Sequence, residues 1–156
     1  MDITFSIAKS ATFLEVSKIT SLIGAKIPVE GGGNLYDQVA VTADEYHILE
    51  GYWREAASTA ITTLRRFYRS VTPLGTGSMV DMEEVLILAL SMPARFDAQY
   101  APAMESSLFN YFVSYIVSKW LPLAYRADVE YYQKDATDNL TRILTSIFHQ
   151  NYPERA

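Results

Sequence analysis

The chain has 156 residues, 49% of them hydrophobic, a formal charge of −5 and no cysteine. That length and apolar content can bury one core and make one domain, 1–156, the default, while the missing thiols exclude disulfide staples, thiolate metal sites and a cysteine nucleophile. The acidic excess is concentrated after residue 75, with 10 acidic against 6 basic residues compared with 8 against 7 before it, which disfavours a sequence-independent grip on phosphates.

Residues 2–7 alternate, with Ile3, Phe5 and Ile7 on one side and Thr4 and Ser6 on the other, and predict a short half-buried strand. No basic start or apolar core marks residues 1–5 as a signal peptide. Ser10 and Thr12 offer helix caps, Thr12 and Glu15 have capping-box spacing, and Phe13, Val16, Ile19 and Ile23 line a helix over about 12–23 with Gly24 as its stop. Pro28 and Gly31-Gly32-Gly33-Asn34 break the pattern. A phosphate loop would end in Gly-Lys-Ser/Thr before a helix, so a flexible turn or contact loop is the better reading of 29–35. Tyr36, Val39 and Val41 suggest a second strand over 36–41.

The strongest helix signal spans 42–72. Tyr46, Leu49, Trp53, Ala56, Ala57, Ala60, Leu64, Phe67, Tyr68 and Val71 recur at steps of three and four. Thr42 and Glu45 form a capping-box pattern, Glu50 and Arg54 an i,i+4 pair, and Pro73, Gly75 and Gly77 the stop. A helix over about 43–72 would be a rod of roughly 40 Å at 1.5 Å per residue, needing other helices laid along it. After a Gly/Pro/Ser turn at 72–80, the apolar run 85–92 closed by Pro93 has strand length, although its periodicity would also fit a buried helix. Pro102 starts a helix over about 103–120 faced by Leu108, Phe109, Phe112, Tyr115, Ile116 and Trp120, and Pro122 breaks it. Val129, Tyr132, Ala136, Leu140, Ile143 and Ile147 mark the last helix, about 124–149, with Asp138 and Arg142 paired outside and an extended tail around Pro153. The predicted fold is mainly α: a helical bundle around the long helix, short strands at about 2–7, 36–41 and 85–92, and extended N- and C-terminal arms. No apolar run reaches the ~18 residues of a membrane span.

The chemistry-bearing residues are sparse. His47 lies between Asp44 and Glu50 on one helix turn, a weak metal pattern that an ordinary charged surface turn explains as well; His149 suits a helix C-terminus without further role. The carboxylates Glu83-Glu84, Asp128, Glu130, Asp135 and Asp138 read as turns and solvated helix faces rather than an acid–base pair. Arg65, Arg66 and Arg69 with Tyr68 are a basic cluster: a helix end, a nucleic acid contact, or a contact to an acidic neighbouring subunit. No nucleophile elbow, zinc-protease motif or dinucleotide fingerprint is present, so the residues predict no enzyme, cofactor or metal site. Eleven tyrosines, seven phenylalanines and two tryptophans fit surfaces buried against partners, or a tyrosine-rich core.

The second half carries a resemblance. The apolar run, Met92-Pro93-Ala94-Arg95-Phe96-Asp97, the Pro102-started helix with Tyr111 to Tyr115, Lys119-Trp120-Leu121, Ala127, Tyr131-Tyr132, Ala136, Leu140 to Ile147 and Tyr152-Pro153-Glu154-Arg155 resemble small structural proteins encoded among the virion genes of tailed bacteriophages, especially phages of Bacteroides-like hosts. This covers about 83–155. The N-terminal half, a long helix with an inserted loop, is similar to the head–tail connector (adaptor) family. The resemblance implies a neck subunit without enzymatic activity, made in the host cytoplasm and located in the virion. It would form a ring, commonly of twelve copies, against portal and tail proteins, with DNA passing through but not specifically bound. The expected contact residues are Gly31, Gly32, Gly33, Asn34 and Tyr36 in the loop, and Tyr152, Pro153 and Arg155 in the tail. A tail-completion or other tail protein, a cytosolic helical regulatory module and an enzyme with an unrecognised site are the competing expectations.

Overall fold

A computed structural model of the chain describes residues 2–71, 82–124 and 128–148. Its element order is β1 (Asp2–Ala8), α1 (Lys9–Lys26), a single helical turn α2 (Tyr36–Val39), α3 (Tyr46–Leu64), β2 (Tyr68–Val71), β3 (Val85–Ser91), α4 (Ala101–Ala124) and α5 (Val129–Phe148). The protein is mainly helical, with four long helices and a small antiparallel sheet, as the hydrophobic patterning predicts. The turn at 72–80, His149 and the tail 150–156 lie outside the described residues.

The sheet has the order β1-β3-β2. Phe5 pairs with Leu88 and Ile7 with Leu86, and these side chains, with Leu90, are buried on the helix-covered face while Ile87 points out. The continuous apolar run is therefore a strand paired on both sides, with one face covered. Residues 2–8, also expected as part of an N-terminal arm, lie within this sheet. The other edge, β2, is short, and its pairing with β3 shifts register between Tyr68 and Ser70.

Several predicted boundaries move. The long helix ends at Leu64 rather than near 72, about 29 Å at 1.5 Å per residue. The stripe residues Phe67, Tyr68 and Val71 continue instead into a turn and into β2. Aromatic and β-branched residues suit a pleated surface, and the second edge of β3 provides one. At the helix start the capping box does form: Glu45 accepts the backbone N–H of Thr42 at 2.9 Å, ahead of a short 3₁₀ turn over Ala43–Glu45. The strand expected over 36–41 is the helical turn α2, whose first N–H, at Tyr36, donates to Asn34 Oδ1 at 3.0 Å; the apolar spacing there buries Val39, Ala40 and Val41. Helix α1 starts at Lys9, so Thr12 is no cap; its hydroxyl donates to the carbonyl of Ala8 at 2.9 Å. Nor does Gly24 stop the helix. It lies inside α1, where a Cβ would stand 2.9 Å from the Cα of Tyr36, so glycine is what lets α2 lie against α1. Pro122, expected as a break, sits inside α4 two residues before its end, so the helix stops just beyond it.

Helix α4 packs against α1, α2, α3, α5 and β1, so it, rather than α3, is the element that the others surround. It buries Met104, Leu108, Tyr111, Phe112, Val113, Ile116, Val117, Trp120 and Leu121, an apolar surface on nearly every side, as expected of a helix enclosed by others. Trp53 of α3 stands at the centre, 4.6 Å from the Phe112 ring and 6.4 Å from that of Phe13. Helices α1 and α3 run antiparallel, since Lys9 meets Glu50 and Ser17 meets Tyr46. One end of the molecule therefore holds the sheet, the end of α3 and the end of α5, where Phe148 packs on Phe67 at 5.6 Å. The opposite end holds the close of α1, α2, the start of α3 and the α4–α5 junction, tied by Trp120 Nε1 donating to Val39 O at 2.7 Å.

Candidate functional site

The glycine loop is a small projecting hairpin. Pro28 and Asn34 form an isolated antiparallel bridge, and within it Val29 N–H donates to Gly33 O and Gly32 N–H to Val29 O, both at 3.2 Å. Gly31, Gly32 and Gly33 take φ values of +95°, +100° and +87°, a run of left-handed backbone that residues with a Cβ resist. A Cβ at any of the three would meet nothing within 4 Å, so the turn stands clear of the body. The five expected contact residues Gly31, Gly32, Gly33, Asn34 and Tyr36 are thus brought together on one exposed loop and its base. The other three, Tyr152, Pro153 and Arg155, lie outside the described residues.

Sequence reading misses the most densely charged point of the interior. Lys9 is fully buried, and its Nζ stands 2.6 Å from Glu50 and 2.5 Å from Glu84; Arg54 stands 2.6 Å from Glu50 and 3.6 Å from Glu84. The backbone N–H of Lys9 also donates to the carbonyl of Glu84 at 3.1 Å. Two cations and two carboxylates therefore join α1, α3 and the approach to β3 with no net charge. The signal was present as alternation, because Phe5, Ile7 and Lys9 occupy successive inward positions. Beside this cluster Lys9 Nζ lies 6.0 Å from the Trp53 ring centroid, and Trp53 Nε1 finds no hydrogen-bond partner among the described residues.

This network also removes the metal pattern. Glu50 is committed to Lys9 and Arg54, while His47 Nδ1 lies 3.0 Å from the backbone carbonyl of Asp44. Among the described residues no three His, Asp or Glu side chains are grouped to hold a metal ion. The expected carboxylate pairs separate in the same way. Glu84 faces Lys9, and Asp135 accepts from Ser114 at 2.5 Å across the α4–α5 seam and from Asn139 at 3.1 Å one turn on in α5. Arg142 donates to Asn139 at 3.3 Å rather than pairing with Asp138.

A cleft of about 280 Å³ opens between α3 and α5 over the surface of α4, lined by Thr59, Tyr111, Tyr115, Lys119, Gln133 and Leu140 among others. Tyr111 donates to Ala56 O at 2.9 Å, and burial pushes its phenol pKa well above the ordinary 10.0. Tyr115 donates to Glu55 at 3.2 Å; burial, then the Glu55 charge, raises it too. Both phenols are thus held neutral as hydrogen-bond donors.

Two members of the basic cluster do stand at a helix end: Arg65 is the C-cap of α3 and Arg66 follows it in the turn, whereas Arg69 lies in β2. Arg69 pairs with Asp2 and Arg66 lies 5.8 Å from the Phe67 ring centroid. Arg65 and Arg66 make no ion pair among the described residues, and both are exposed. Among those residues no helix is long and apolar enough to cross a membrane. Comparison with protein-family models, curated proteins and solved structures finds no match to this chain.

Proposed function

We propose that this chain is a structural subunit of a tailed-bacteriophage virion, a ring-forming head–tail connector made in the host cytoplasm and built into the neck between portal and tail. It works by contact with copies of itself and with neighbouring neck and tail proteins, and it transforms no substrate. The observation that carries the reading is the hairpin at 28–34. Three consecutive left-handed glycines hold it away from a body that is pinned internally by the Lys9 network. A rigid bundle with an uncommitted loop suits a subunit that must reach an adjacent ring, and the resemblance over 83–155 points to the same class. The acidic excess keeps passing DNA from sticking.

Light scattering and native mass spectrometry at micromolar concentration test this. A discrete closed assembly of many copies is expected, and removal of 150–156 should weaken it while leaving the helical signal intact. A chain that stays monomeric, or whose bundle unfolds on that deletion, would remove the reading of the tail and loop as reaching segments. Electron microscopy of particles carrying a tagged chain then places it in the neck or excludes it from there.

A further inference from the structure

The two ends of the bundle carry opposite kinds of surface. At the sheet end, Arg65 and Arg66 are exposed without ion pairs among the described residues, beside Tyr68 and a Phe148 that is 55% exposed. At the opposite end, Leu123 is 64% and Tyr131 65% exposed. Exposed Asp128 and Glu130 flank them, and a crevice there is lined by Pro122, Asp128, Glu130 and Tyr131. Asp37 stands close by, since its neighbour Gln38 donates to Ala124 O at 3.0 Å. The exposed cations described near that end are Lys26, Lys119, which lies 4.0 Å from Glu55, and Lys134. Glu130 and Phe148 belong to the same helix, about 27 Å apart at 1.5 Å per residue.

We infer that these two surfaces meet between copies of this chain: the Arg65–Arg66–Phe148 end of one subunit seats on the Asp128–Glu130–Tyr131 end of the next. The occupant is a second copy because, among the described residues, one end sets exposed arginines without ion pairs where the other sets exposed carboxylates, and an exposed ring where the other has an exposed leucine; arginine and tyrosine are the side chains enriched at such contacts. A face that matched itself would close a two-fold dimer. Two different, complementary faces give a head-to-tail contact, which closes into a ring when the rotation per copy permits and otherwise runs on as a filament. The inference rests on the ring reading above and names the surfaces that build the ring.

The test uses two full-length variants. R65E/R66E makes both ends acidic. D128N/E130R reverses the other end, with asparagine at 128 because that residue has a φ of +62°, which asparagine tolerates. Each variant alone is expected to be monomeric by light scattering, with an unchanged far-UV spectrum and thermal midpoint, and with self-association weakened about 100-fold or more by the like-charge contact. Mixing the two should restore assembly, because alternating copies again set opposite charges against each other, and raising the salt concentration should weaken it. If either folded variant assembles like the parent chain, or the mixture stays monomeric, this contact is wrong while the ring reading stands. A parent chain that is itself monomeric throughout overturns both.

Discussion

The corner around Lys9 and the hairpin around Gly32 are opposite solutions to the same problem, a stretch of chain that cannot be stabilised by apolar packing. At the corner every charge has a counter-charge within 4 Å from another element, so three segments distant in sequence are locked into one geometry. At the hairpin the turn is closed by local backbone hydrogen bonds, and the glycine positions face open space. The first region depends on the rest of the fold and the second does not. Disturbance should therefore spread from the corner and stay local at the hairpin.

The largest effect should come from K9M. Removing the cation leaves two nearly enclosed carboxylates to share Arg54 alone, and breaking a buried pair on one side costs up to about 3–5 kcal/mol. Urea unfolding measures it; a loss below about 1 kcal/mol would mean that water reaches Glu50 and Glu84 and the corner is no lock. Next, D135A removes the acceptor by which Ser114 of α4 is tied to α5, while Asn139 keeps its bond to the backbone carbonyl of residue 135. Leaving the Ser114 donor unpaired should lower stability by about 1–3 kcal/mol, and a smaller loss in urea would assign that seam to apolar packing alone.

Y111F tests the same interior by pH. The folded-state pKa of Tyr111 is raised above 10.0 by burial. The unfolded chain thus releases that proton first, and the stability this phenol contributes is full below 10.0 and declines as pH rises from there towards the folded value. The variant should lose about 1 kcal/mol at neutral pH, the worth of the hydrogen bond to Ala56, and should show a shallower alkaline decline in thermal melts. An identical slope would mean that Tyr111 ionises alike in both states. The smallest effect should be G32A, about 1 kcal/mol or less, because the strained turn can relax into solvent. Its signature is faster amide exchange at Val29 and Gly32 with protection near Lys9 unchanged. A global loss as large as that of K9M would abolish the contrast between the two regions.

Much of the framework is legible where local pattern and final environment agree. The alternation at 2–7 becomes a strand because one face meets the helices, and Thr42 with Glu45 caps locally, needing nothing remote. The reading fails where a distant partner decides. Tyr68 to Val71 continue a helical stripe, yet the open edge of β3 recruits them as a strand. Gly24 looks like a stop until α2 lies across it. Lys9 goes unremarked because its partners, Glu50 and Glu84, come from 41 and 75 residues away. The glycine loop, by contrast, is legible as a turn because its backbone bonds and positive φ values are set by its own residues.

The broken register in β2 carries a consequence for a protein that would be held at high local density. An intact, straight border of unpaired backbone invites another sheet to add on without limit. On one flank that invitation is withdrawn, since Glu105 of α4 takes up the N–H of Ser6 at 3.3 Å. On the other, the four described residues, with a kink between Tyr68 and Ser70, offer little regular ladder for fibrous growth. Copies crowded as proposed would thereby be steered away from amyloid-like stacking, leaving side-chain complementarity to decide any contact between them.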